Sequence, residues 1–282
     1  MTFSQIIITY NSEKHIRKCL DSVLNQSVLP DEILIGDDCS SDNTRQILEE
    51  YKKKHPSLIR ILFHKKNLGI AGNLNTCARE ASSTYIGFLA GDDWLLPGKN
   101  EKQFGVIKKY GTKYGLYFSD FLKVHINENK SRINTNVIKE GDYQTWIARR
   151  LFSIRTFWLS KDLFLRIKGF DERLFIYEDW HFRLKLSLVT KFKWIPGVFS
   201  AYQVHDEGIH NVSKDSHLEN MFQIVDLLSE DNVDVNLLNL VRASIFRRQG
   251  ERKKASKLDP HFPFYKTIYR FHYYVRNIFK NG

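Results

Sequence analysis

Hydrophobic and polar residues follow two alternating periods over the first part of the chain. Short apolar runs typical of strands are followed by segments whose apolar residues recur every three or four positions, as in a helix with one buried face. The predicted strands are Phe3–Tyr10, Glu32–Gly36, Leu58–Phe63 and Tyr85–Leu89, and the predicted helices between them are Glu13–Asn25, Thr44–Lys54 and Ile70–Ala81. Repeated strand–helix units with short connections predict an α/β fold with a mostly parallel central sheet flanked by helices.

The pattern is less regular after Pro97. The elements predicted there are a helix over Asn100–Tyr110, a strand near Tyr114–Val124, a loop or hairpin over 127–136, a helix over Glu178–Leu188 and one or two strands over Lys193–Tyr202. From Asp215 onward the pattern is helical, with a break at Asp259-Pro260. These changes predict one domain over residues 1–214 and a helical C-terminal region over residues 215–282.

The charge is unevenly distributed. The formal net charge is +11, and the last segment, Val241–Gly282, has eleven Lys and Arg against Glu251 and Asp259. Such an excess implies an anionic partner. Apolar residues recur on one face of a predicted helix within residues 264–280, which favours docking on an anionic membrane surface. The alternative is that this helix packs its apolar face on the main domain.

The chain has three cysteines, Cys19, Cys39 and Cys77, without metal-ligand spacing. An odd number of cysteines argues against a disulfide framework and predicts a reducing compartment. The first ten residues lack a basic signal region, and no apolar run approaches the ~18 residues that a membrane span requires. We therefore expect a cytoplasmic protein, peripheral on the inner face of the plasma membrane where it meets a bilayer.

Two acidic loops directly follow predicted strands. Asp37 and Asp38 open the loop that ends at Asp42, and Asp92 and Asp93 follow the fourth predicted strand. Both loops are expected at one edge of the sheet, because open α/β sheets bind ligands at the carboxyl ends of their strands. Adjacent carboxylates repel each other unless a cation neutralises them, and hard oxygen ligands favour Mg²⁺ or Mn²⁺. The competing interpretations are a helix-capping turn and an exposed turn without an ion.

In order and spacing, these motifs resemble the inverting GT-A glycosyltransferases, in particular the large family two of bacterial polysaccharide enzymes. The segments that carry the resemblance are Thr9-Tyr10-Asn11, Asp37-Asp38-Cys39-Ser40-Ser41-Asp42, Asn67-Leu68-Gly69 with Asn75, and Leu89-Ala90-Gly91-Asp92-Asp93. The resemblance implies a Rossmann-like GT-A fold with a nucleotide-binding half over residues 1–97 and an acceptor-binding half over residues 98–214. The donor contacts that it implies are Thr9, Tyr10, Asn11, Asp37, Asp38, Asn67, Gly69, Asn75 and Asp92.

The resemblance continues in the second half of the chain. Glu178-Asp179 is similar to the family's Glu-Asp motif at the start of a helix, in which the Asp is the general base. It implies that Asp179 is catalytic, and Glu178 beside it raises its proton affinity. The alternative is a pair of acids that complements the helix dipole. His205 resembles a late family histidine, so the resemblance implies Mn²⁺ or Mg²⁺ held by Asp92, Asp93 and His205, with a surface histidine as the alternative.

The implied activity is transfer of a sugar, with inversion, from a nucleotide diphosphate donor to a saccharide or lipid-linked saccharide acceptor. The resemblance favours a UDP-sugar and a place in the synthesis of surface polysaccharide, O-antigen, capsule or lipopolysaccharide. The chain departs from the family pattern at Ala90, where the first acid of the Asp-x-Asp motif is expected, and at Leu74 and Gln203, where Arg is common. Lys65 and Lys66 are candidate replacement cations, and a transferase-like fold without activity is a further alternative.

Two other functions fit parts of the sequence. A nucleotidyltransferase would also bind a nucleotide and a metal, but the segment Thr9–Glu13 is not the Gly-rich basic loop that its phosphates require. A non-enzymatic nucleic-acid-binding protein would explain the net charge. The basic residues are concentrated in the C-terminal segment, however, and the acidic loops of the main body would repel phosphates. We therefore expect no nucleic-acid partner.

Overall fold

The structure, a computed structural model, describes residues 1–125, 130–134, 147, 156–204 and 214–260. The chain divides into two units, of which the first comprises Met1–Asn134 and Ile154–Asn211 and the second comprises Thr135–Ser153 and Val212–Gly282. The described strands all belong to the first unit. The helices described between residues 214 and 258 belong to the second unit.

The described elements alternate between strands and helices through the first unit. In chain order they are β1 (Phe3–Thr9), α1 (Ile16–Leu24), β2 (Glu32–Asp37), α2 (Thr44–Lys54), β3 (Ile59–Phe63), α3 (Gly69–Glu80), β4 (Tyr85–Ala90), β5 (Trp94–Leu95), α4 (Lys99–Tyr110), a 3₁₀ turn (Gly111–Lys113), β6 (Leu116–His125), β7 (Lys130–Asn134), β8 (Phe157–Ser160), α5 (Lys161–Arg166), α6 (Glu178–Val189) and β9 (Phe192–Val204). The helices of the second unit are α7 (Lys214–Glu230), α8 (Val235–Arg248) and α9 (Arg252–Leu258).

One sheet contains these strands in the order β3-β2-β1-β4-β8-β6-β9-β5, with β7 paired to β6. The first four strands are parallel, with β1 between β2 and β4. The residues of β1, β2 and β4 are almost wholly buried, as expected for strands covered by helices on both faces, whereas β3 at the end of the sheet is only partly buried. The predicted α/β fold, with a central sheet flanked by helices and a helical C-terminal region, is confirmed.

The second half of the sheet is mixed, which accounts for the weaker pattern after Pro97. Strand β8 pairs antiparallel with β4 and β6, whereas β6 and β9 are parallel. Strand β9 is continuous through Pro196 and Gly197, and the β6–β9 register shifts there between Asp120 and its neighbours. The polar stretch predicted as a loop or hairpin contains β7, which forms an antiparallel hairpin with β6. The sequence interpretation did not identify β5, β8 or α5, each of which is six residues long or shorter.

A close approach of backbone and side chain fixes α3 against β2. The Asn73 amide donates to the Gly36 carbonyl at 2.9 Å, and its Oδ1 lies 2.9 Å from His64 Nε2. A methyl group at Gly36 would lie 2.0 Å from Asn73 Oδ1, so a glycine is required at this position. The contact places the start of α3 beside the end of β2.

The first residue of α4, Lys99, is a buried lysine. Lys99 is 1% exposed, and its Nζ lies 4.9 Å from the centre of the Trp158 ring. The indole in turn covers Gly87, where a Cβ would approach the ring atoms to 2.8 Å. Burial lowers the pKa of Lys99 to about 7. A cation–π contact offsets part of the cost of burying this amine.

The second unit is held by apolar contacts and one buried ion pair. Phe222 of α7 packs edge-on against Phe246 of α8. Arg247 lies 3.3 Å from the carboxylate of Asp259, which is 1% exposed, and α9 ends beside it at Leu258. The helix before the predicted break at Asp259-Pro260 ends at Leu258, as expected, and the residues after Pro260 lie outside the described ranges. The basic helix predicted over 264–280 lies outside the described residues, and none of the helices searched within the described part is both long and apolar enough to cross a bilayer.

Candidate active site

The ends of β1, β2 and β4 meet at one edge of the sheet. Thr9 is the register partner of Asp37, and Ile8 is the partner of Ala90. The N–H of Asp38 donates to the Thr9 carbonyl at 2.9 Å, and the N–H of Gly91 donates to the Ile8 carbonyl at the same distance. The edge predicted for both acidic loops is therefore the edge at which the parallel strands end.

The two acids of the first loop have different surroundings. Asp37 is fully buried and its Oδ2 accepts a 2.6 Å bond from Arg45 Nε and a 3.2 Å bond from the Ser40 N–H. This pairing neutralises Asp37 within the chain. Asp38 accepts a 2.7 Å bond from the Leu68 N–H, and burial raises the pKa of its carboxyl above the usual value. Of the two adjacent acids that open the loop, Asp38 is thus the one without an ion pair to an Arg or Lys of the described residues.

The end of β1 and the two residues after it contribute three further predicted donor contacts, Thr9, Tyr10 and Asn11. Thr9 is buried, and its hydroxyl has no hydrogen-bond partner within the described ranges. Tyr10 is 51% exposed. Asn11 adopts a φ of 47° and its Oδ1 accepts a 2.9 Å bond from the Ser41 N–H, which ties β1 to the first acidic loop. Asn11 therefore shapes the edge as well as lying on it.

Asn67 and Gly69 form the turn into α3. Asn67 Oδ1 accepts a 2.9 Å bond from the Gly69 N–H, in the manner of an Asx turn. Gly69 has a φ of +73°, which favours glycine. The turn holds Leu68 in place, and the N–H of Leu68 bonds to Asp38. The turn formed by Asn67 and Gly69 is thus connected to the predicted donor residue Asp38 through the N–H of Leu68.

Asn75 bonds to a segment far along the chain. Its amide donates to the Phe170 carbonyl at 2.9 Å and to Glu172 Oε1 at 2.8 Å, while its Oδ1 accepts from the Phe170 N–H at 2.9 Å. The side chain is 4% exposed. Both amide N–H groups are used in these bonds, so the structure gives Asn75 a structural connection in addition to its predicted donor contact. No pattern in the sequence indicated Glu172 as a partner of Asn75.

This connection carries a prediction. Asn75→Leu preserves the approximate volume but removes all three bonds to Phe170 and Glu172. Misplacement of the segment that leads to Asp179 is expected to lower kcat about tenfold. Nucleotide affinity is measured by calorimetry, and we expect it to fall less than kcat does. Asn236→Leu in the second unit provides a control, and an unchanged kcat in Asn75→Leu contradicts the structural role.

The second acidic loop follows β4. Asp93 is buried and its Oδ1 accepts a 2.9 Å bond from the Gln203 N–H of β9, whereas Asp92 is half-buried. Gln203 also lies 3.1 Å from His15 Nδ1 through its side-chain amide. Burial, followed by the charges of Asp93 and Asp92, raises the pKa of the Cys19 thiol.

The chemistry of this loop fits a hard divalent cation. Two adjacent carboxylates supply oxygen ligands of the type that Mg²⁺ and Mn²⁺ prefer, and oxygens of a bound diphosphate would complete the set. Among the described residues, no three His, Cys, Asp or Glu side chains group closely enough to hold a metal by themselves. His205, the third predicted ligand, lies outside the described residues.

Asp179 lies in the first turn of α6, where Tyr177 with a φ of 67° precedes the helix. Its carboxylate is 2.9 Å from Arg183, one turn further along the same helix. The Asp179 side chain is 41% exposed, whereas Arg183 is 9% exposed. The ion pair fixes the direction of an accessible carboxylate. Glu178 precedes it in the same turn and is half-buried.

The comparisons with known proteins agree with the geometry. The family model for "Glycosyl transferase family 2" matches residues 4–171. Over 232 residues the chain is 31% identical to a chondroitin synthase from Escherichia coli, and this covers 78% of the chain but 31% of that relative. The chain thus spans about a third of the length of that relative.

Solved structures show the same fold. The S. aureus protein TarS in complex with UDP-GlcNAc has a TM-score of 0.71 at 21% identity, covering 88% of this chain and 73% of that one. A mannosyltransferase from Pyrobaculum calidifontis in complex with GDP-Man and Mn²⁺ has a TM-score of 0.64 at 16% identity, covering 91% and 73%. The two alternative functions find no support in these comparisons. By its match to the family model over more than half of its length, the chain belongs to glycosyl transferase family 2.

Proposed function

We propose that this protein is an inverting glycosyltransferase that moves a sugar from a nucleotide diphosphate to a saccharide acceptor in surface polysaccharide synthesis. The observation that carries the proposal is the meeting of Thr9, Asp38 and the Asp92-Asp93 loop at one sheet edge, in a chain of this family. A UDP-sugar is the favoured donor, because a fold relative binds UDP-GlcNAc. Residues 1–214 are proposed as the catalytic domain.

The residues proposed to bind the nucleotide sugar have two roles: some recognise the nucleoside, and others hold the cation that balances the charge of the diphosphate. Asp38 is proposed to accept hydrogen bonds from the nucleoside, since Asp37 is already paired with Arg45. Thr9, whose hydroxyl lacks a described partner, and the exposed Tyr10 are proposed to complete the nucleoside side. When bound at Asp92, a divalent cation would stabilise negative charge on the departing diphosphate. Asp93 supports that loop through its bond to β9.

Asp179 is proposed as the general base. Its carboxylate takes the proton of the acceptor hydroxyl while that oxygen forms a bond to the anomeric carbon. The bond from this carbon to the diphosphate oxygen breaks at the same time, and the nucleotide diphosphate leaves with the electron pair. One displacement inverts the anomeric configuration. Arg183 orients the carboxylate through the 2.9 Å contact.

The donor proposal is tested by thermal denaturation with a panel of nucleotide sugars, with Mn²⁺ or with EDTA. A ligand at 100 times its Kd stabilises the folded state by about 2.7 kcal/mol. We expect one UDP-sugar to raise the Tm more strongly with Mn²⁺ than with EDTA, and Asp38→Asn to weaken that shift. An equal Tm shift from every nucleotide sugar, or no Tm shift from any of them, contradicts the proposal. NMR of the product then reports the anomeric configuration.

We also propose that the protein works at the cytoplasmic face of the plasma membrane, where lipid-linked acceptors are present. The cations Arg248, Arg252, Lys253 and Lys257 are exposed on α8 and α9, and the sequence beyond them continues to be basic. Anionic lipids attract such segments. Co-sedimentation with anionic liposomes, with and without residues 263–282, tests this; equal binding of both forms contradicts a role for the C-terminal helix.

A further inference from the structure

A cationic face runs along the hairpin formed by β6 and β7. In the antiparallel register Lys123 lies opposite Arg132, and His125 lies opposite Lys130. Alternate residues of a strand point to the same face, and directly opposed residues share it. The four side chains therefore form one surface, which we call the hairpin cation face.

The opposition of Lys123 and Arg132 is unfavourable without an anionic partner. Like charges directly opposite each other across two strands destabilise the pair. Within the described residues of β6, β7 and β9, Asp120 is the one acid, and it is buried and accepts a 3.2 Å bond from Trp194 Nε1. None of the ion pairs in the described part of the chain includes Lys123 or Arg132.

The face is accessible from solvent. Lys130 and Arg132 are exposed, and Lys123 and His125 are half-buried. Charges on an edge strand also discourage pairing between molecules. Charges on β7 alone would be enough for that purpose. Lys123 and His125 lie on β6, which pairs with β9 on its other side, so protection of an edge strand does not explain them.

The position of the face relates it to the donor edge of the same unit. Gln203, whose N–H bonds to Asp93, is the register partner of Val124 in β6, and Val124 is the partner of Ser131 in β7. Neighbouring strands are about 4.8 Å apart, so β7 lies about 10 Å from the strand that contacts the acidic loop. A chain molecule with one end at the donor edge can extend over this distance.

We propose that the hairpin cation face binds an acidic saccharide chain, which carries repeated carboxylates and is the acceptor of the transfer. The inference rests on the proposed function and adds the charge class of its acceptor. Residues at i and i+2 of a strand are about 6.7 Å apart, so Lys130 and Arg132 on β7, with Lys123 opposite on β6, offer separate positive positions for spaced carboxylates.

The experiment measures binding of an unsulfated chondroitin oligosaccharide and of its carboxyl-reduced, neutral counterpart by isothermal calorimetry. The proteins are the full chain, Lys123→Gln/Arg132→Gln, and the control Lys53→Gln/Lys108→Gln, which removes two exposed charges elsewhere. We expect the hairpin variant to bind the acidic chain about fivefold to tenfold more weakly, a loss of about 1–1.4 kcal/mol. The control variant and the full chain should bind equally, and added salt should weaken both.

Two results overturn the proposal. One is equal binding of the acidic chain by the hairpin variant and the full chain, and the other is equal binding of acidic and neutral chains by the full chain. Vesicles with anionic lipid are included as a third ligand. Loss of vesicle binding in the hairpin variant, with saccharide binding unchanged, assigns the face to membrane and also overturns the proposal.

Folding and donor chemistry are monitored separately. Because the substitutions remove a like-charge pair, the hairpin variant is expected to melt at or above the temperature of the full chain. The Tm shift with the nucleotide sugar should be the same in both proteins. Failure of that donor shift in every protein, with intact saccharide binding, would reject the glycosyltransferase proposal but not the hairpin face.

Discussion

Asp179→Asn is expected to lower kcat for sugar transfer by about 10²–10⁴-fold while nucleotide affinity changes less than twofold. The amide is isosteric with the carboxylate and can still accept the contact from Arg183, so the first turn of α6 is retained. It cannot take a proton from an acceptor hydroxyl, however. Product formation by mass spectrometry gives kcat, and calorimetry with UDP gives the affinity.

A matched substitution separates catalysis from helix stability. Asp162 is exposed in the first turn of α5, and Asp162→Asn removes the same favourable interaction with a helix dipole. We expect that variant to transfer sugar at the full rate. If Asp179→Asn keeps more than about a tenth of its kcat, a loss smaller than general-base catalysis supplies, Asp179 is not the base.

Lys99→Met is expected to stabilise the protein by about 2–4 kcal/mol near pH 6. A pKa of about 7 in the folded state, against an ordinary value of 10.5, means that the folded protein binds fewer protons than the unfolded chain between these limits. Burial of Lys99 therefore costs little stability above pH 10.5, where the amine is neutral in both states, and the cost grows as the pH falls toward 7. The full shift corresponds to about 5 kcal/mol, and the Trp158 ring offsets part of it.

Urea denaturation at pH 6 and at pH 10 measures the effect. The difference between Lys99→Met and the natural protein should be large at pH 6 and shrink at pH 10. Lys102→Met, on the exposed side of the same helix, controls for the change in side-chain type. A destabilised Lys99→Met variant at pH 6, or a difference independent of pH, would show that the buried amine is not under the expected penalty.

The first half of the fold could be predicted from the sequence because its strands and helices alternate in long, regular patterns. β2 and α2 match their predicted positions within one residue, and the loop between them is rich in turn residues. The short β8 and α5 escaped prediction, since Phe157–Ser160 and Lys161–Arg166 are too short for a period to develop. Tertiary pairing with β4 and β6 forms that strand.

The acidic residues of the candidate site could be predicted from the sequence, but their hydrogen-bond and ion-pair partners could not. The spacing of Asp37, Asp38, Asp92 and Asp93 indicated one sheet edge, and β1, β2 and β4 end there. The pairing of Asp37 with Arg45 and of Asp93 with Gln203 depends on contacts between distant elements, which a linear pattern does not encode. The sequence thus indicated four similar acids, whereas the structure distinguishes their environments.

The bonds of Asn75 fasten α3, which begins beside Asp38, to the turn that precedes α6. We expect this connection to keep the proposed donor residues near α3 at a constant spacing from the carboxylate of Asp179, the proposed base. Substrates are therefore expected to adjust to a fixed frame. Selectivity among acceptors would then depend on the shape and charge of the surface around the site. Substitutions on that surface should change acceptor selectivity without changing the rate of the chemical step.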